Sequence, residues 1–271
     1  MRPAVRACAR IARPAATAAR AIQRGPRLTI LGWHRIDTRS GWLTTRLDVF
    51  RRQLDVLLES GAAVLPLTRA TRLLVTGELP ERAVVLTFDD GYASVLETAW
   101  PILREHRLPA TLFVVTGYLD GRRRCPWDAD AQDADVTRVA DADTIRAAVE
   151  SGLDVGSHTI THPWLPHLTA TALSRELIES RAAVEQLCGR PVTSAAYPMG
   201  GWNKAVRDAA ARAGYAVGIT VDRGRNSATQ NPLAMRRAFA PDSVEDFRLM
   251  LDGAYTWLRP VDTWRTRNGP R

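Results

Sequence analysis

Residues 83–92 read Ala83-Val84-Val85-Leu86-Thr87-Phe88-Asp89-Asp90-Gly91-Tyr92. The first six are apolar or β-branched, a pattern that predicts a buried strand over 83–88 rather than a helix turn. Two adjacent carboxylates follow where that strand stops. Each is costly there, because burial strips water from both and each repels the other. A bound cation removes that cost. Consecutive residues at a strand end also point in different directions. One carboxylate can therefore hold a cation while its neighbour faces a substrate. The ordinary alternative is an Asp-Gly turn with solvated acids.

Outward from this point the chain alternates between strand-like and helix-like segments. Strands are expected at 28–33, 63–65, 83–88, 110–115, 153–157, 195–197, 215–220 and 235–240. Helices are expected over the Leu47, Phe50, Leu54, Leu57, Leu58 repeat ending near Gly61, over 94–106 and over 143–151. Three more are expected to be capped by Thr169, Asn203 and Ser243. Residues 117–141 are polar, irregular and long enough to suggest a functional loop. Alternation of this kind implies a parallel sheet covered by helices. The leading form is a distorted (β/α) barrel, whose active site is built by the loops after the strand ends. An open doubly wound sheet is the second. The expected organisation is a basic tail at 1–27, one domain over 28–260 and a C-terminal tail at 261–271.

Composition limits the function classes. The net charge is +8, but residues 1–27 hold seven arginines and no acid, so that segment supplies +7 of it. The remainder is near neutral, and the high isoelectric point does not argue for a nucleic-acid-binding fold. Arginines 2, 6, 10, 13, 20 and 24 recur at helical spacing. They read either as a disordered tail or as a basic helix lying on an anionic membrane surface. No stretch approaches the roughly 18 apolar residues of a membrane span, and no secretory core is visible. The default expectation is therefore a cytoplasmic protein. Three scattered cysteines without a CxxC argue against a disulfide framework or a thiolate zinc site.

A second cluster, Ser157-His158-Thr159-Ile160-Thr161-His162, also follows an expected strand. Histidines four apart are expected on one face of a helical turn, a common metal-binding pair. The paired motifs Thr-Phe-Asp-Asp-Gly-Tyr and His-Thr-x-x-His resemble those of the polysaccharide deacetylase family, whose shared region is the NodB homology domain. The resemblance runs over residues 28–240 and includes Leu108-Pro109-Ala110-Thr111-Leu112-Phe113-Val114 and Tyr197-Pro198-Met199-Gly200.

That resemblance implies metal ligation by Asp90, His158 and His162, with zinc the usual ion; cobalt, nickel or manganese also suit such oxygen and nitrogen donors. It implies Asp89 as general base, and acetylated glycans or glycolipids as substrates. The family commonly supplies its general acid from a Leu-x-His motif near the C-terminus, yet no histidine follows His167 here. His34, in Trp33-His34-Arg35-Ile36, resembles the Tyr-His-x-Ile start of the poly-N-acetylglucosamine deacetylases. It is the expected acid, ahead of His106 and His167. The family's usual arginine before the Tyr-Pro motif is also missing, and Arg237 is the candidate to hold Asp89 ionised. Tyr92, Trp127, Tyr197, Pro198 and Gly200 are expected at the substrate. Trp127 with Asp128 resembles the family's Trp-Asp element and offers a face for sugar stacking. Tyr197, Pro198 and Gly200 are expected to shape a loop and offer a backbone N–H to an oxyanion. Competing readings are a deacylase for O-acetyl or non-sugar amides and a carbohydrate-binding pseudoenzyme. A phosphohydrolase is weaker, since no phosphate-cradling Gly-rich loop is present.

Overall fold

The computed structural model describes residues 26–120, 124–131 and 133–253. The expected tails, and with them the basic segment up to residue 25, lie outside the described residues.

In chain order the elements are β1 (Arg27–Trp33), β2 (Arg35–Asp37), β3 (Thr44–Arg46), α1 (Leu47–Glu59), β4 (Ala63–Val64), α2 (Leu67–Thr76) and β5 (Arg82–Phe88). A π-helical turn (Val95–Ala99) leads into α3 (Trp100–Glu105), then β6 (Ala110–Val114), α4 (Ala142–Glu150), β7 (Asp154–Ser157) and α5 (Ala170–Cys188). The chain continues through β8 (Ser194–Ala196), α6 (Lys204–Arg212), β9 (Val217–Ile219), β10 (Ala238–Phe239) and α7 (Val244–Leu251). The main sheet is parallel, in the order β10-β1-β5-β6-β7-β8-β9, with β4 also on β5. It curls and closes: Met235 bridges to Ile219 of β9, and Ala238 and Phe239 pair with Leu31 and Gly32 of β1. The architecture is a distorted (β/α) barrel. Among the described residues no helix is long and apolar enough to cross a membrane.

Period-2 alternation sorts the strands into two faces. Leu31, Trp33, Val84, Leu86, Phe88, Leu112 and Val114 face outward and pack against helix residues such as Phe50, Leu54, Leu57 and Leu103. Leu28, Ile30, Ala83, Val85 and Phe113 face inward, and Leu67, Ala70 and Leu74 of α2 join them. Each fully buried leucine of that inner plug contributes about 2 kcal/mol of transfer free energy. Toward the strand ends the inner face changes character. Gly32, Thr87 and Asp89 replace the apolar residues, and a polar floor opens under the loops.

The caps at Thr169, Asn203 and Ser243 form as expected, each accepting an N–H from the first turn. Helix α2 and the β2–β3 pair were not legible. The expected helix over 94–106 starts as a π turn because Pro101 has no N–H to donate. The expected strand over 235–240 is shorter, since Met235 pairs with β9 and the next rungs with β1, so the segment crosses from one strand to the other.

Candidate active site

Asp89 continues the inward parity of β5, and its N–H donates to Trp33 O (3.0 Å), extending the ladder by one rung. Asp90 then takes a left-handed conformation (φ 70°), followed by Gly91 (φ 78°). A non-glycine residue in that region stores strain. The turn brings the second carboxylate against the histidines instead of out to solvent. Both aspartates are buried.

The His-Thr-x-x-His segment corrects an expectation. It is no helical turn: Thr159 (φ 70°) and His162 (φ 58°) are both left-handed. The loop is pinned by Thr116 N–H to Thr159 O (3.0 Å) and Gly117 N–H to Ile160 O (2.9 Å). A Cβ on Gly117 would lie 2.5 Å from Ile160 O, so only glycine fits. The Glu176 carboxylate accepts from the N–H of Ile160 (2.7 Å) and of Thr161 (3.1 Å). The two imidazoles meet with ring centroids 4.7 Å apart.

The ligand atoms of Asp90, His158 and His162 lie within 4.8 Å of one another. His158 and His162 place Nε2 at 3.5 and 3.7 Å from Asp90 Oδ1. His158 Nδ1–H donates to Ala196 O (2.8 Å), which leaves Nε2 as the free lone pair. Asp90 Oδ1 is buried without a hydrogen-bond partner. Burial, with the charges of Asp89 and Asp128, pushes the Asp90 carboxyl well above the usual carboxylate range. Burial also lowers both histidines, His162 to about 2. An orphaned carboxylate oxygen between two neutral imidazoles is the donor set of a divalent transition-metal site, and the residues present fit one.

Asp89 is gripped from the other side. Arg237 Nη1 and Nη2 donate to its two oxygens at 2.6 and 2.5 Å, a bidentate fork. Nη1 also donates to Thr87 Oγ1 (3.1 Å), whose hydroxyl donates to Leu31 O. Arg237 is fully buried, with its guanidinium over the Phe239 ring at 4.8 Å. Burial alone would raise the Asp89 carboxyl, but the Arg237 charge and hydrogen bonds outweigh it and hold the group at about 2. Arg237 is therefore no surface arginine. His34 stacks on Phe239, centroids 4.5 Å apart. Burial lowers its imidazole to about 4, against an upward pull from the Asp89 charge. His106 and His167 are exposed and take no part.

The substrate residues divide. Trp127 leans on His162, ring centroids 4.2 Å apart. Tyr92 does not face a substrate: it is buried, accepting from Trp127 Nε1–H (2.9 Å) and donating to Asp128 Oδ2 (2.5 Å). Arg35, which sequence reasoning missed, completes this network by donating to Asp128 Oδ1 (2.9 Å), with its guanidinium 4.7 Å from the Tyr92 ring centre. Its only sequence signal is its place directly after His34. Tyr197 is also corrected. Its side chain turns into the core and donates to Leu233 O (2.8 Å), while its N–H donates to Ile219 O (2.9 Å). The Gly200 N–H donates to Tyr197 O (2.8 Å), and Pro198 has none, so these three residues supply no N–H to an oxyanion. They shape the turn after β8. At Gly200 (φ 73°) a Cβ would lie 2.3 Å from the Val221 side chain.

The chain resembles known proteins in sequence and fold. The family model described as polysaccharide deacetylase matches residues 76–218. YxkH of Bacillus subtilis is 25% identical over 212 residues, covering 78% of this chain and 70% of the relative. A chitooligosaccharide deacetylase of Sinorhizobium fredii is 32% identical over 138 residues, 49% of this chain; the chain spans 54% of that relative's length. Among solved structures, the Streptococcus pyogenes deacetylase PplD in complex with acetate superposes with a TM-score of 0.73 at 25% identity, over 84% of this chain and 99% of that one.

Proposed function

The chain belongs to the polysaccharide deacetylase family, and from that premise we propose that it removes acetyl groups from N-acetylhexosamine units of a polysaccharide or glycolipid, with a divalent metal, zinc foremost, held by Asp90, His158 and His162. One observation carries this reading. A carboxylate kept ionised by a buried arginine stands beside a second carboxylate whose Oδ1, among the described residues, has no hydrogen-bond partner and lies 3.5 and 3.7 Å from two imidazole nitrogens.

A divalent cation held by that set supplies Lewis acidity to the acetyl carbonyl and acidifies the attacking water. The chain's own residues handle the protons. Asp89 is anionic across the neutral range because Arg237 saturates it, so it is always ready to accept the water proton. The fork also fixes its direction. His34, stacked on Phe239, is neutral at rest; it takes up the proton that Asp89 draws from the attacking water and passes it to the leaving nitrogen as the amide C–N bond breaks, giving acetate and a free amine. The burial that lowers its proton affinity makes its charged form a strong donor. Trp127, against His162, offers an aromatic face to the reacting sugar. The basic N-terminal segment would add contact with an anionic membrane surface where the substrate is a glycolipid.

The test is acetate release from N-acetylglucosamine oligomers and glycolipids by purified protein with added zinc or cobalt, beside Asp89→Asn. Metal-dependent release that the variant loses is expected. Release confined to O-acetyl or non-sugar amides would move the assignment to another deacylase, and none at all to a binding protein.

A further inference from the structure

Five large apolar side chains are exposed among the described residues: Trp42, Leu58, Val75, Ile178 and Met199. Three sit on outer helices α1, α2 and α5. The other two lie on loops that follow strand ends, the face that carries Asp89 and His158. Trp42 is the most exposed of the five, at 68%. It lies in the loop between β2 and β3. Met199 lies in the turn after β8, about halfway round the ring from β1.

The loop of Trp42 is not loose. Arg35, itself only 3% exposed, donates one Nη to Asp128 and the other to Trp42 O. One guanidinium thus ties the Trp42 backbone to the segment that holds Trp127 against His162. Arg39 adds a second tie: it donates to Asp37 from Nε (3.0 Å) and to Asp133 from Nη1 (2.6 Å). Arg35 N–H to Leu43 O (3.1 Å) and Thr44 N–H to Gly41 O (3.1 Å) close the loop's base, and Leu43 takes φ 61°. An indole 68% exposed on a backbone held in place offers aromatic surface to a flat, partly apolar ligand, and a pyranose ring presents such a face of C–H groups.

We infer that Trp42 is a sugar-stacking subsite for a unit neighbouring the one deacetylated, so that the enzyme selects oligomers over single residues and short headgroups. The inference rests on the proposed deacetylase reading and deepens it. The chain lies across the mouth, with its reacting unit over His34, Asp89 and the imidazoles and a flanking unit on Trp42. Arg35 is a positioning residue in this arrangement, setting the distance between the two aromatic platforms, Trp42 and Trp127.

The experiment is kcat/KM for acetate release along a series of N-acetylglucosamine oligomers from dimer to pentamer, for wild type, Trp42→Ala and Trp42→Phe. Wild type is expected to favour the pentamer by about tenfold, the worth of one aromatic stack. Trp42→Ala should flatten that preference through KM, with Trp42→Phe keeping most of it. A preference equally steep in Trp42→Ala, or no preference in wild type, overturns the inference. Pentamer binding to Asp89→Asn, with and without Trp42→Ala, reads the subsite apart from turnover. If wild type releases no acetate but pentamer affinity still falls about tenfold without Trp42, the subsite stands and the proposed activity falls; if affinity does not change, the subsite falls.

Discussion

Arg237 closes a two-pronged hydrogen bond on Asp89 from 148 residues away in sequence, and both side chains are out of solvent. A buried pair of this kind gains from geometry what it loses in desolvation, and it is most costly when only one partner is removed. Arg237→Met leaves the Asp89 charge uncompensated. The expected loss is about 3–5 kcal/mol in urea denaturation, with kcat/KM falling about 10²–10⁴-fold. Arg237→Lys should recover stability better than activity, since an ammonium cannot form the fork. The sign of the pH effect follows from the same pair. Asp89 is held low by Arg237, so its removal leaves the upward push of burial unopposed, and the acid limb of the rate profile of any residual activity moves to higher pH. An unmoved limb would show that Arg237 does not set the Asp89 charge.

Asp90 gives the reverse prediction for the metal-free protein. Its carboxylate is buried beside Asp89, with one oxygen unpaired. Asp90→Asn removes the repulsion while keeping the shape. The chelator-treated variant is expected to melt at or above the chelator-treated wild type at pH 7. Adding zinc should raise the melting temperature of wild type by several degrees and leave the variant where it was. A wild type that neither gains stability from zinc or cobalt nor loses acetate release with chelator would remove the metal assignment.

His34 should make stability fall with acid. Its folded-state imidazole sits at about 4 against the model-compound value of 6.5. Above 6.5 both folded and unfolded chains leave it neutral. As pH falls from 6.5 toward 4 the unfolded chain takes up a proton that the folded one refuses, and stability declines, by about 3 kcal/mol at the limit. His34→Phe, which keeps the stack on Phe239, should flatten the melting curve against pH in that window. The comparison is made against wild type because His158 and His162 decline in the same direction. A wild-type profile identical to that of the variant refutes the assignment.

The Arg35–Asp128 pair invites a double-mutant cycle. Arg35→Met strands a buried carboxylate next to Tyr92, and Asp128→Leu strands a buried guanidinium. Each single variant should lose about 3–5 kcal/mol, while the double variant should be more stable than either. Additive losses would mean that the two residues act independently.

The parts legible in sequence were those set by local pattern. The apolar run at 83–88 and the alternation around it gave the barrel, and hydroxyl and amide caps at Thr169, Asn203 and Ser243 gave helix starts. The meeting of Asp90, His158 and His162 was legible because all three sit at motif positions. What escaped depends on chain segments meeting in space. Nothing near Arg35 in sequence announces Asp128, and nothing in the Tyr-Pro turn shows that Tyr197 spends its hydroxyl on Leu233 O. The resemblance implies Tyr92 at the substrate, whereas the left-handed turn at Asp90 and Gly91 precedes a Tyr92 side chain that is buried against Asp128. The His162 geometry depends on remote residues as well. Spacing of four suggests a helix, but Gly117 and Glu176, both remote in sequence, hold the loop in another shape.

Where the ring closes bears on how such a chain can be written. Arg27 and Leu251 line one small cavity, and Asp252 is held there by Arg82 and Arg225. The two ends of the described fold therefore meet. A circular permutant that joins Gly253 to Arg27 through a short linker and opens at the exposed Gly152 would keep every strand neighbour it has now. His34 and Asp89 would then follow His158 and His162 in the chain instead of preceding them. The order of the chemistry along the gene is set by where the circle is cut, and the reacting atoms do not register the difference.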